Sequence, residues 1–497
     1  MLTGWMESAI ILVYLYEIRG KCETVLKFKN QFIKQNIERG EYGLEKESLR
    51  VDAQGNLAHT GHPFPDREEI TRDFCENQTE MITDVFLSAE EVLQHLTKLQ
   101  TEVADRLLKQ PTGAEYLWSF SNPPYVNGEK DIDIAQFEGE NREKTVYRNY
   151  LSEKYGKRIM LFSGIHFNYS FPDDVIRKEY DILRHIEDAD PAESGSDVAG
   201  LEAFDRAEQN LDDTAGMTYQ EYKNDRYLQL AQQVTKYTWL LVYLMAASPV
   251  LDSSFLLCGK EDNNTQEKAI ADHWTERDLR EYASARCGEK GYWNSFTPIL
   301  DYRDLEHYIR SIEMYIENGK LRASSELYYP VRVKPRGVNS LEHLREKGIN
   351  HIELRMLDVN PLSPVGLFVE DLEFIHYFLY YLHYGEDIVL SGEGQKHAIR
   401  NEKQAARFDD EQVTVLGEDG IARPIREEAN RFLRQMESFY EELESDKALA
   451  SIQYQKDKIA VPGNRYADRI RREYEEDYLE KGLALARHYA GILTEAK

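Results

Sequence analysis

Cysteine is scarce in this chain. Its four residues, Cys22, Cys75, Cys258 and Cys287, form no CxxC pair and are too few for a disulfide framework. That usage suits a reducing compartment. Long apolar runs are missing as well: the longest, Ala9–Tyr16 and Leu240–Ala247, are eight residues each, against the ~20 that a membrane-spanning helix needs. Met1–Ser8 carries no positive charge and includes Glu7, which is not how a secretory signal opens. Basic residues are in deficit, 61 against 89 acidic, for a net charge of −28. A field of that sign repels phosphate backbones and anionic lipid, so nucleic acid and membrane are excluded as first partners. An anionic substrate would have to be met by local cations or bound metal ions. These absences together predict a soluble cytoplasmic protein. The common nucleotide and hydrolase signatures are also missing: no GxxxxGK[ST] loop, no GxGxxG after a strand, no HExxH and no GxSxG.

What is present is a sizeable core. The chain has 497 residues, 41% hydrophobic and 11% aromatic, which rules out disorder as its main state. Residues 1–36 show no pattern beyond one short apolar segment. From Gly43 the signal sharpens: Leu44–Val51 has strand length and is followed by a turn at Asp52–Gly55. Ser88-x-x-Glu91 reads as a capping box opening a helix, with Val92, Leu96, Leu99, Val103 and Leu107 at helical spacing until Pro111. Further strands are expected over Met160–Phe171 and His351–Val359, and a buried helix over Tyr227–Ala247. The acidic, Ala/Ser-rich stretch 186–213 reads as a solvated excursion. After Gly366 the pattern is mostly helical, with charged amphipathic stretches near 425–445 and 465–493. The simplest organisation is an extension over 1–36, a large α+β catalytic domain over 37–385, and a helical portion over 386–497 packed on it.

The chemistry is written on alternate positions of the expected strands, because residues two apart in a strand share a face. Glu45 and Glu47 project together, as do His166 and Asn168, and Glu353 and Arg355. One such pair is accounted for by the wet face of an edge strand. Three pairs, with Asp73 and Glu80 in a neighbouring segment, point instead to one shared site. Carboxylates gathered this closely repel unless cations sit between them, and Mg²⁺ or Mn²⁺ takes carboxylate oxygens while leaving positions open for phosphate. The pattern does not decide whether Glu76 or Glu80 points inward. A lone His166 reads equally as a ligand or as a hydrogen-bonded core histidine. Arg286 and Tyr292 lie in a glycine-containing polar loop, where arginine suits a substrate carboxylate or a surface ion pair. Glu326–Arg332 carries the same ambiguity. Cys75 and Cys287 lack an activating base nearby in sequence and read as inert thiols.

These residues resemble a known family. Gly43–Val51, Thr60–Pro63, Ser163–Asn168, Ala247–Pro249 and, most clearly, Ile352–Pro364 are similar, in order, to segments of bacterial glutamate–cysteine ligases. The likeness runs from about residue 38 to 370 and more faintly beyond. It implies a glutamine-synthetase-like carboxylate–amine ligase fold, an antiparallel sheet forming a funnel surrounded by helices. It also implies an ATP-dependent reaction in which the γ-carboxylate of L-glutamate is phosphorylated and the amine of L-cysteine displaces phosphate. On the matching positions, Glu45, Glu47, Asp73, Glu80, His166 and Glu353 would hold the metal ions. Arg355 would face the transferred phosphate, Asn168 and Arg286 would bind substrate, and Phe74, Tyr147, Tyr292 and Tyr328 would receive cysteine. Met160 departs from the polar residue common in relatives.

The sequence does not define the oligomeric state, with a monomer favoured; and since no ATP-grasp domain follows, a cell that makes glutathione would need a separate glutathione synthetase downstream. Two other readings compete. A relative using a different amine acceptor would share every metal ligand and differ in the aromatic pocket. A non-catalytic binding protein on the same fold would have lost an acid or Arg355, and all of those positions are kept.

Overall fold

The computed structural model describes residues 30–187, 216–257, 274–417 and 419–495. Most of the 1–36 extension and of the acidic stretch 186–213 lies outside them, as do Cys22 and Cys258. The polar–apolar alternation builds a seven-stranded sheet: β1 (Glu41–Val51), β2 (Ile70–Arg72), β3 (Gln78–Ile82), β4 (Tyr116–Leu117), β5 (Gly164–Ser170), β6 (Val331–Lys334) and β7 (His351–Asp358). Its order is β2-β3-β1-β5-β7-β6, with β4 paired to the end of β1 and every pairing antiparallel.

One face of the sheet is apolar. Leu44, Ile165, Phe167, Tyr169, Ile352 and Leu354 are fully buried in one core cluster. The same cluster takes residues of the helices Ala89–Leu108, Tyr219–Met245 and Val369–His383. Because the strand period is two, this burial forces the intervening polar residues onto the opposite face.

Several elements differ from expectation in instructive ways. The strand expected over Met160–Phe171 is shorter, Gly164–Ser170, and follows a 3₁₀ turn over Arg158–Leu161. The apolar run Ile159–Phe162 is pressed into a second core cluster rather than paired in the sheet. The long helix starts at Tyr219, eight residues before the expected point, because Thr218 and Glu221 form a reciprocal capping box. At Ser88 only half of the box forms. Its hydroxyl accepts from the Glu91 amide, while the Glu91 carboxylate accepts from Leu87.

The C-terminal helices are part of the packed body. Asp371 is buried and accepts from Lys458 at 2.9 Å, Gln455 at 3.1 Å and Tyr466 at 2.9 Å, which joins helix Val369–His383 to Asp446–Ala460 and Tyr466–Tyr474. In the last helix, Tyr478–Glu495, Gly482 lies flat on Trp118, and a Cβ there would come within 2.2 Å of the indole. Among the described residues, no helix is long and apolar enough to cross a membrane.

Candidate active site

Register turns the polar face into a row. Glu47 lies opposite Glu80 on β3, and Glu45 lies opposite His166 on β5. Asn168 lies opposite Glu353 on β7, which in turn faces Arg332 on β6. Five strands therefore contribute one polar residue after another across the sheet. The pairing of β5 with β7 is irregular between Ile165 and Phe167, so the histidine sits at a local break in the ladder. Such breaks re-aim a side chain.

The contacts are close. His166 Nδ1 is 3.2 Å from Glu45 Oε2, and its Nε2 is 3.9 Å from Glu47 Oε1. Asn168 Nδ2 donates to Glu45 Oε1 at 2.9 Å, and the Gly164 amide donates to Glu47 Oε2 at 2.8 Å. Arg355 Nη1 donates to Glu353 Oε2 at 2.9 Å. Glu45, His166 and Glu353 each offer a ligand atom within 4.8 Å of the others. Asp73 precedes the turn into β3 and is close enough for its charge to act on both Glu47 and Glu80.

The uncertainty between Glu76 and Glu80 resolves on geometry. The Glu76 carboxylate is occupied by Arg72 and by the amides of His62 and Gln136, each at 3.0 Å. Glu80 instead lies among Asp73, Glu45 and Glu47.

Electrostatics divide the row into two parts. Burial pushes the Glu47 carboxyl up to about 8, helped by Asp73 and opposed by Arg286, the Gly164 amide and Arg355. Burial also drives Glu80 well above the carboxylate range, with Asp73, Glu45 and Glu47 adding to it. Glu353 goes the other way. Burial opposes its ionisation, yet Arg355, Lys334, Arg332 and His166 together hold it well below its ordinary value. His166 is shifted down by burial and by Arg355. The sheet thus has a cation-balanced end at Glu353 and an acid-rich end at Glu47 and Glu80, where nearby cations only partly offset burial and mutual repulsion. Carboxylate oxygens with one imidazole form a donor set that fits a hard divalent cation, which would relieve that repulsion.

Beside the row is an aromatic wall. Phe74, Tyr147, Tyr292 and Tyr328 all belong to or pack on one cluster, and the Tyr292 and Tyr328 rings lie 4.3 Å apart between centroids. Phe74 and Tyr328 are buried, whereas Tyr147 and Tyr292 are half-buried. Arg286, also buried, lines one small pocket together with Tyr292, Tyr328, Arg355 and Glu402. Met160 is 2% exposed on the 3₁₀ turn before β5. Both thiols are buried and shifted upward by that burial, Cys287 to about 12, which suits inert side chains.

Sequence reasoning passed over Lys334, whose ammonium is 3.0 Å from Glu353 Oε1, and left Arg332 undecided at 3.9 Å from Oε2. The alternation Val331-Arg332-Val333-Lys334 carried the signal, on a strand of only four residues.

A model of the glutamate–cysteine ligase family matches residues 25–197, 201–322 and 316–405. The chain is 32% identical over 470 residues to the glutathione biosynthesis bifunctional protein GshAB of Clostridium perfringens, covering 93% of this chain and 54% of that protein. It is 30% identical over 419 residues to the glutamate–cysteine ligase of Clostridium acetobutylicum, covering 77% of this chain and 80% of the relative. The chain spans about half the length of the bifunctional relatives it matches. Among solved structures, the glutamate–cysteine ligase of Francisella tularensis in complex with AMP shares the fold with a TM-score of 0.73 at 22% identity, over 92% of this chain and 89% of that one. The bifunctional glutathione synthetase of Pasteurella multocida shares it with a TM-score of 0.72 at 24% identity, over 94% and 54% respectively.

Proposed function

Because the chain belongs to the glutamate–cysteine ligase family, we propose that it uses ATP to join the γ-carboxylate of L-glutamate to the amine of L-cysteine. The products are γ-glutamylcysteine, ADP and phosphate. The observation that carries this reading is the row of acids, imidazole and guanidinium across one sheet face, next to an aromatic wall and the buried Arg286.

A carboxylate is a poor acyl donor, so phosphorylation must come first. Glu45, Glu47, Asp73, Glu80, His166 and Glu353 would hold Mg²⁺ or Mn²⁺, which when bound neutralises charge on the nucleotide phosphates. Arg355 provides a fixed positive charge for the transferring phosphoryl group, and its bond to Glu353 orients the guanidinium. Arg286 binds the α-carboxylate of glutamate, leaving the γ-carboxylate directed at Arg355, which lines the same cavity. Asn168, held by Glu45, contributes a further substrate contact. The rings of Phe74, Tyr147, Tyr292 and Tyr328 receive the cysteine side chain and keep water from the acyl phosphate.

In this reading the sheet acts as a glutamine-synthetase-like funnel within 37–385, the helical portion 386–497 supports it, and the reaction runs in the cytoplasm. Its product still carries a free cysteinyl carboxylate, the group that a second ATP-dependent ligation would consume. The test is phosphate release from ATP with L-glutamate and Mg²⁺, comparing L-cysteine, 2-aminobutyrate, other amines and no acceptor, with product masses read in parallel. Release that requires cysteine or 2-aminobutyrate, with the matching γ-glutamyl dipeptide, supports the reading. Release with another amine keeps the mechanism and moves the acceptor. No release with any amine returns the protein to a binding role.

A further inference from the structure

Asp358, at the end of β7, is 3% exposed and accepts three hydrogen bonds. Its Oδ2 accepts from the Ala247 amide at 2.9 Å and the Ser248 hydroxyl at 2.8 Å, and its Oδ1 accepts from the Ser284 hydroxyl at 3.0 Å. Each serine passes the restraint on. Ser248 Oγ accepts from the Ala285 amide at 3.1 Å, and Ser284 Oγ accepts from the Cys287 amide at 3.2 Å. The residues immediately before and after Arg286 are therefore both anchored, through one hydroxyl each, to a single buried carboxylate. The loop extends the restraint further, since the Tyr292 amide donates to the Arg286 carbonyl at 2.9 Å. On the other side, Asp358 lies directly opposite Gly164 in the sheet, and the Arg286 guanidinium rests on that glycine. Strand β7 thus supplies Glu353 and Arg355 to the row and, from its end, the fastening for the loop beside it.

We propose that Asp358 is the positioning residue for glutamate recognition, fixing Arg286 and Tyr292 relative to Arg355 through Ser248 and Ser284. The proposal rests on the reading of Arg286 given above. An unanchored loop would leave the guanidinium free to move by about an ångström, a displacement that costs up to ~10²-fold in a preorganised site.

The test uses the full chain, with L-glutamate binding followed by calorimetry and steady-state kinetics varied in glutamate and in ATP. Ser284→Ala removes one anchor while leaving the buried carboxylate in place. It is expected to weaken glutamate binding and raise the glutamate KM about tenfold, with the ATP KM within about twofold. Asp358→Asn, which turns an amide donor toward at least one of the three donors that the carboxylate accepts from, is expected to act in the same direction and more strongly. In an Arg286→Ala background Ser284→Ala should add less than about twofold, because both changes act through one group. Equal rises in the two KM values, or a full additional loss in the Arg286→Ala background, would overturn the proposal even if Asp358→Asn fails to fold. Wild-type protein that binds no L-glutamate would remove the reading of Arg286 and this inference with it. Wild-type binding that Ser284→Ala leaves unchanged would remove the inference alone.

Discussion

A methyl group at Gly164 would occupy the place of the Arg286 guanidinium. An alanine Cβ there falls 2.4 Å from Cζ and 2.5 Å from Nε and Nη2, about 1 Å short of ordinary contact. The obstructing atoms are the far end of a long side chain, so the guanidinium yields rather than the sheet. Alanine suits an extended strand, and loss of glycine's freedom in the unfolded chain contributes about 0.4–1 kcal/mol in favour of the fold. Gly164→Ala should therefore melt within a degree or two of the parent. The Gly164 amide still donates to Glu47, so that backbone hydrogen bond at the metal-binding end of the row is kept. Activity should behave differently. Displacing a recognition group by about 1 Å costs ~10²-fold, or ~2.7 kcal/mol at ~1.36 kcal/mol per tenfold. The assay is kcat/KM for L-glutamate with ATP saturating, read beside a thermal melt. Activity within threefold of the parent would show that the guanidinium is not needed where it lies. A large fall in melting temperature would show instead that the clash is taken up by the sheet.

Arg355→Ala should lower kcat by about 10²–10³ while raising the ATP KM less, and the reverse pattern would make Arg355 a ground-state binding group. Glu353→Gln should cut metal-dependent turnover with the fold intact by circular dichroism, and an unchanged rate would take Glu353 out of the site. The raised Glu47 carboxyl has a signed consequence: the folded chain holds a proton that the unfolded chain releases near 4.5. Metal-free stability should therefore fall as pH rises from about 5 towards 8, and Glu47→Gln should flatten that slope in chelator. A steeper slope in the variant would refute it. Lys46 is fully buried behind the row with its ammonium on Gln100, and burial lowers it to about 7. The unfolded chain binds that proton up to about 10.5, so the burden on stability is greatest at and below pH 7 and fades as pH rises. Lys46→Met should add about 1–3 kcal/mol at pH 7 in denaturant titrations, after allowing for the orphaned Gln100, and less at pH 10.

The strands of the row were readable because their apolar partners alternate cleanly. Leu44, Phe167 and Leu354 point to the core, and that alone turns Glu45, His166, Glu353 and Arg355 to the other face. Register was not readable. The pairing of Glu45 with His166 and of Asn168 with Glu353 joins segments more than a hundred residues apart, and no local pattern encodes it. Glu76 and Glu80 were equivalent by spacing, and only Arg72 and two backbone amides distinguish them. The run Met160–Phe162 has the composition of a strand, but the second core draws it into a turn. The aromatic wall was found through family likeness, since periodicity does not connect Phe74, Tyr147, Tyr292 and Tyr328. Asp358 lies within the family-like segment Ile352–Pro364, but nothing in that segment ties it to Arg286, because its partners come from loops at 247–248 and 284.

The sheet order has a consequence for how the protein comes to exist. The central strand β1 and its later neighbour β7 are some three hundred residues apart in the chain, so Glu45 waits for Glu353 while that whole stretch is synthesised. Until then the edge of β5 lacks its partner, an exposure that favours wrong pairings. Non-local antiparallel pairing is slow because the intervening loop must be closed before any contact rewards it. Glu47 and Glu80 already face one another once β1 pairs with β3, so the acid-rich end assembles early, and the later arrival of β7 brings Glu353 together with the Arg355 that balances it.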